Sequence, residues 1–140
     1  MSTECGTGRK LLKERTREFA LRTRRLYAAL PKSTVAQVLG KQLLRSGTSV
    51  GAHYREGSRS RSHAGFVSKL EGALQELEES RYWLELLEAE RFAPTTVLTP
   101  LVQEADELTA MVIASVRTVK SRGNEKRLAR SDEQRAMNDK

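Results

Sequence analysis

The chain has 140 residues, enough for one domain with a single core. Its apolar content of 38% and mean hydropathy of −0.57 leave no stretch near the ~20 apolar residues of a membrane-spanning helix. One cysteine, Cys5, excludes an internal disulfide and a cysteine-built metal cluster. The N-terminal region carries charge and no apolar segment, so a secretory leader is not expected and the cytoplasm is the expected compartment. Net charge is +7, unevenly spread. Residues 1–70 hold 15 Lys/Arg against 4 Asp/Glu, 71–109 hold 2 against 10, and 110–140 hold 8 against 4. A basic first half and an acidic third segment suit helices that attract one another, and the surplus suits either a polyanion partner or a solvated basic surface.

Residues 1–8 are small and polar and read as a flexible terminus. From about Arg9, the positions Leu12, Thr16, Phe19, Thr23, Leu26 and Leu30 alternate spacings of four and three, which predicts a helix with one buried stripe. Pro31 ends it, and Ser33 or Thr34 caps the next. The second helix is predicted over Thr34 to Tyr54. Val35, Leu39, Leu43, Ser46 and Val50 form its bundle face, with Gly40, Leu44, Gly47 and Gly51 expected on a nearly opposite one. Each glycine costs about 1 kcal/mol relative to alanine, so their recurrence demands a close neighbour.

The stretch Glu56–Ser62 is predicted as a loop. A third helix, His63 to Arg91, carries the stripe Phe66, Leu70, Ala73, Leu77, Leu84 and Leu87. Pro94–Thr96 turn the chain into a fourth, about Val97 to Lys120. Its buried set is Leu98, Leu101, Val102, Ala105, Leu108, Val112, Ile113 and Val116. Residues 122–140 are charged and nearly free of aliphatic side chains, and are expected to be disordered or weakly helical. No segment shows strand-like alternation. The pattern predicts an all-α, antiparallel up-down four-helix bundle over residues 9–121.

Two strings carry a family resemblance: LPKSTVAQVLGKQLLRSGTSVGAHYREG from Leu30 and FVSKLEGALQELEESRYWLELL from Phe66. They resemble the bacterial four-helix-bundle proteins of the rRNA intervening-sequence family, some of which are encoded within insertions in large-subunit rRNA genes. The likeness spans roughly residues 10–120. It implies a homo-oligomer, typically a five-membered ring, with a basic surface, and no enzymatic activity is established for that family. A more distant relative, the accessory variability protein of diversity-generating retroelements, binds a reverse transcriptase and nucleic acid. One departure is Gly65, where the family usually places an acidic residue, so a capping box from Ser62 lacks its carboxylate.

The chemistry that residue types can support is limited. Nucleophilic catalysis needs a nucleophile, a base and an orienting group, and the only histidines are His53, beside the second helix's core face, and His63, at the start of the third. The glutamates of the third helix lack the Glu-x-x-His pairs of a di-metal bundle. No phosphate-cradling glycine motif occurs. No enzyme activity, cofactor, metal or small-molecule substrate is therefore expected, and no membrane partner.

Cations are the better lead. Lys10, Lys13, Arg17 and Arg24 share one face of the first helix, opposite Phe19 and Leu26. Arg55, Arg59 and Arg61 cluster at the second loop, beside a helix N-terminus whose dipole favours anions. Both groups suit sequence-independent contacts to RNA or DNA phosphates; the alternatives are a solvated face or pairing with the acidic third helix for the first group, and an ordinary charged turn for the second. Leu21, Tyr82, Trp83 and Leu86 exceed what a monomer must hide. With Gly40, Leu44, Gly47 and Gly51 they are the expected oligomer interface, the alternative for the glycines being a neighbouring helix of the same bundle. The leading expectation is a homo-oligomeric nucleic-acid-binding bundle. The rival is a protein-interaction scaffold or accessory subunit of a nucleic-acid enzyme, such as a retroelement reverse transcriptase.

Overall fold

The structure, a computed structural model, describes residues 11–139. The expected flexible residues 1–8 and the candidate contact Lys10 lie outside that range. Four helices follow in order: α1 (Leu12–Ala29), α2 (Thr34–Ser58), α3 (His63–Ala89) and α4 (Thr95–Asn138).

The boundaries follow from local chemistry. Leu30, ahead of Pro31, adopts the extended backbone that a following proline imposes. The Ser33 Oγ accepts the Ala36 N–H at 3.4 Å and the Ser62 Oγ accepts the Gly65 N–H at 3.0 Å, so each serine caps a helix. The capping box that lacks a carboxylate thus keeps its serine half. A side chain at position 65 would be crowded there, since a Cβ would lie 3.1 Å from both the Ser60 and Ser62 hydroxyls. α3 ends at Ala89 with Glu90 as its C-cap, and Arg91 just beyond has a left-handed φ of 57°. The Phe92 N–H then bonds back to the Leu87 carbonyl at 3.0 Å, and Phe92 folds against the core.

Successive helices run antiparallel, as their paired residues show. Gly40 meets Tyr27 and Leu30, Gly47 meets Thr23, and Gly51 meets Thr16. Ser46 pairs with Ser80, and Gly57 lies on Leu70. Arg81 pairs with Asp106, and Lys120 with Glu71. The square closes where Arg15 of α1 forks onto Glu104 of α4, at 3.1 Å and 2.6 Å, and also reaches Glu107 at 2.9 Å. The hydrogen bond to Glu104 is the main cause that holds the Arg15 guanidinium pKa above its ordinary value; burial opposes it, and Glu107 adds to it. Inside the square, Phe19, Leu43, Leu70, Leu77, Leu84, Leu87, Leu98, Leu101 and Leu108 are fully buried. All six stripe positions of α1 are buried as expected; its two threonines satisfy their hydroxyls on the Lys13 and Ala20 carbonyls.

Four expectations need correction. The glycine stripe of α2 is not opposite its bundle stripe. Gly47 follows Ser46, and Gly51 follows Val50, by one residue, which is about 100° of helical rotation. That angle lets α2 meet two neighbours in a square. The close neighbour of Gly40, Gly47 and Gly51 is consequently α1 of the same chain, not another subunit. Val35, one residue into α2, is 54% exposed rather than on the core. The predicted second loop is shorter, because α2 continues through Ser58. Of the two states expected for the charged tail, disordered or weakly helical, residues 122–138 take the helical one and continue α4 as an exposed helix. Good helix formers fill that stretch, with Gly123 its one glycine and no proline.

Candidate nucleic-acid interface

Lys13, Arg17 and Arg24 are exposed on α1. Their side of α1 flanks the glycine seam, because Thr16 and Thr23 face α2 directly. Arg55 stands in the last turn of α2, where a cation suits the negative end of the helix dipole. Arg59 is the C-cap of α2, and Arg61 is exposed in the loop that follows.

The antiparallel packing of α1 and α2 brings these separated residues together. Lys13, Tyr54, Arg55, Ser58 and Arg59 line one open cleft of about 220 Å³. Arg17 stands one turn further along α1. Arg24 is eleven residues from Lys13, about 16 Å along the helix, and does not join the cleft. Among the described residues none of Lys13, Arg17, Arg24, Arg55, Arg59 or Arg61 has an ion-pair partner, whereas nearby Lys69 is held by Glu56 at 3.2 Å. Tyr54 and Ser58 belong to this cleft and were not singled out by the sequence; their spacing of four on one helix face was the available signal.

Charge is segregated across the bundle. α1 and α2 together hold nine Lys/Arg against three Asp/Glu, while α3 alone holds two against six. On the acidic side, Arg45 of α2 pairs with Glu79 and, at 3.3 Å, with Glu76. His53 points its Nε2 toward Glu76 at 3.8 Å, and its buried Nδ1 has no hydrogen-bond partner among the described residues. Gly72 leaves room for that ring, since a Cβ there would lie 3.1 Å from Nδ1. Among the described residues no group of three or more His, Cys, Asp or Glu could hold a metal ion. No described helix is long and apolar enough to cross a membrane.

The remaining interface candidates fall in different settings. Tyr82 is 51% exposed and tilts against Trp83 with ring centroids 5.1 Å apart. Trp83 packs against the core, and its indole N–H donates to Glu79 at 3.4 Å. Leu21, Leu44 and Leu86 are half-buried. A larger apolar cleft of about 430 Å³ opens between α1 and α4, lined by Arg22, Arg25, Leu26, Phe92, Val97 and Pro100 among others.

Residues 11–114 match the sequence profile described as 23S rRNA-intervening sequence protein. A solved structure from Bacteroides thetaiotaomicron, a protein with unknown function from the S23 ribosomal protein family, is similar at 36% identity and a TM-score of 0.72. The similarity covers 76% of this chain and 98% of that one. No functionally curated protein matches. The chain belongs to the 23S rRNA-intervening sequence protein family.

Proposed function

We propose that the protein is a non-enzymatic, self-associating bundle that binds RNA through the cations of α1 and the α2–α3 end. The observation that carries this reading is the convergence of Lys13, Arg55 and Arg59, from two helices, on one open cleft with no carboxylate among its lining residues. Such a cleft neutralises phosphates and releases their counterions, which gives affinity without sequence choice. Aromatic content of 5% leaves little for base stacking, so the backbone is the recognised feature.

Fluorescence anisotropy of a labelled RNA duplex across a salt series tests the reading. The wild-type chain is expected to bind at about 50 mM salt and to lose affinity steeply as salt rises. Lys13→Glu/Arg55→Glu/Arg59→Glu is expected to lose at least about tenfold at that salt and to flatten the slope. A folded wild-type chain that leaves the RNA unshifted at low salt would refute it.

Self-association is supported by Tyr82, an exposed aromatic flanked on its helix by Glu78 and Glu85, and by the apolar α1–α4 cleft with Arg22 and Arg25 in its lining. Their charges are complementary and they lie on different sides of the bundle, the arrangement of a head-to-tail contact that closes into a ring. By the family pattern the ring has five members. Light-scattering mass of the wild type and of Tyr82→Ser decides this; a monomeric wild type ends the reading.

A further inference from the structure

The face of α4 that carries its buried stripe runs on beyond the bundle. Leu101, Ala105, Leu108, Val112 and Val116 are all buried, at spacings of three and four. The same spacing continues through Val119, Gly123, Lys126 and Arg130. The inward face of the helix therefore changes from aliphatic to cationic within about four turns. Arg122, four residues before Lys126, extends that cationic row.

The position of this segment follows from its neighbours. His63, Ala64 and Val67 of α3 share a cleft with Val119, Lys120, Gly123, Asn124 and Arg127. Residues 119–127 thus stand beside the first turns of α3, and residues 128–138 run on past them for about 16 Å. The end of the bundle they pass holds the α2–α3 loop with Arg61 and the cleft of Lys13, Arg55 and Arg59. Residues 122–130 hold four Lys/Arg and one Asp/Glu, whereas 131–139 hold one and three. The basic part of the overhang is the part nearest the bundle.

Three cations at successive four-residue spacings repel one another along a helix. Among the described residues Arg122, Lys126 and Arg130 have no carboxylate partner, and all three are exposed. The match to the family profile ends at residue 114, so this overhang stands outside the shared bundle.

We propose that the α4 overhang is a second phosphate-binding wall, which faces the basic end of the bundle and holds an RNA backbone between the two. This rests on the RNA-binding reading above and adds a segment to that site. Lys126 and Arg130 make the contacts from the inward face, while Arg117 and Arg135, half a turn away on the same helix, make none.

Two full-length variants of equal charge separate the faces: Lys126→Gln/Arg130→Gln inside and Arg117→Gln/Arg135→Gln outside. Glutamine keeps helix propensity, so both retain the helix. Anisotropy with a labelled RNA duplex is read across a salt series. The inner pair is expected to lower the slope of log affinity against log salt by nearly two, from about 0.9 per phosphate contact, and affinity by about tenfold at low salt. The outer pair is expected to change affinity less than about twofold, through net charge alone. Equal losses from both pairs, or no loss from the inner pair, would overturn the second wall while wild-type binding stands. No wild-type binding at low salt would remove the wall together with the reading it rests on.

Discussion

The two flanks of α2 are built on opposite principles. Toward α1, Gly40, Gly47 and Gly51 lie against Tyr27, Leu30, Thr23 and Thr16, and the contact is one of shape. A hydrogen bond between side chains, from the Tyr27 hydroxyl to the Gln37 amide oxygen at 2.9 Å, sits near the turn. Toward α3, where Gly57 also lies close on Leu70, polar pairs join the contact: Ser46 with Ser80 at 2.8 Å in the core, and Arg45 with Glu76 and Glu79 at the rim. The glycine flank sets how closely two helices approach. The polar flank sets which residues stand opposite each other, because a slip of one residue would bury unpaired hydroxyls.

The sharpest way to break this contrast is Gly47→Leu. A Cβ there would already lie 2.7 Å from the Thr23 Cγ2 and 3.2 Å from its Cβ, which is fixed to the backbone of α1. A cost of about 3 kcal/mol is expected in urea unfolding, as in other overpacked cores. On the polar flank, Ser80→Ala is expected to cost about 1 kcal/mol by leaving Ser46 with only the Leu43 carbonyl. The double variant Ser46→Ala/Ser80→Ala is expected to cost less than the sum of the singles, since both polar groups leave together. Arg45→Ala, at a side chain 49% exposed, is expected to cost about 0.5 kcal/mol, an effect that fades in high salt. Gly51→Ala is expected to leave stability within about 0.5 kcal/mol of wild type. Its Cβ would meet the Thr16 Oγ1 at 3.3 Å, a mild contact that offsets the gain in helix propensity. If Gly47 and Gly51 respond alike, the flank is not governed by distance.

The contrast also explains what the sequence made legible. Helix number, the core stripe of α1 and most of those of α3 and α4 follow from spacing, because a stripe such as Leu70, Ala73, Leu77, Leu84 and Leu87 needs no knowledge of its partner; Phe66, Val102 and Ile113, expected in those stripes, are only half-buried. The glycines announced a close approach, but not by whom. Periodicity reports how residues share a face, and the identity of the neighbour depends on how the bundle closes. The same holds for the cationic site. Lys13 and Arg55 are 42 positions apart, and only the antiparallel register of α1 on α2 joins them. The overhang was hidden for another reason: a helix with no buried face shows no hydrophobic period, so residues 122–138 carried propensity without pattern.

The closing of the square at Arg15 and Glu104 has a kinetic consequence. Every other seam joins helices adjacent in the chain, whereas this one spans 89 residues and is the slowest loop to close. The hairpins α1–α2, α2–α3 and α3–α4 are expected to form first, with the α1–α4 seam docking after the rate-limiting step. Arg15→Met should then accelerate unfolding in stopped-flow experiments and leave the refolding rate nearly unchanged. A refolding rate that falls with stability would place the seam in the folding nucleus instead.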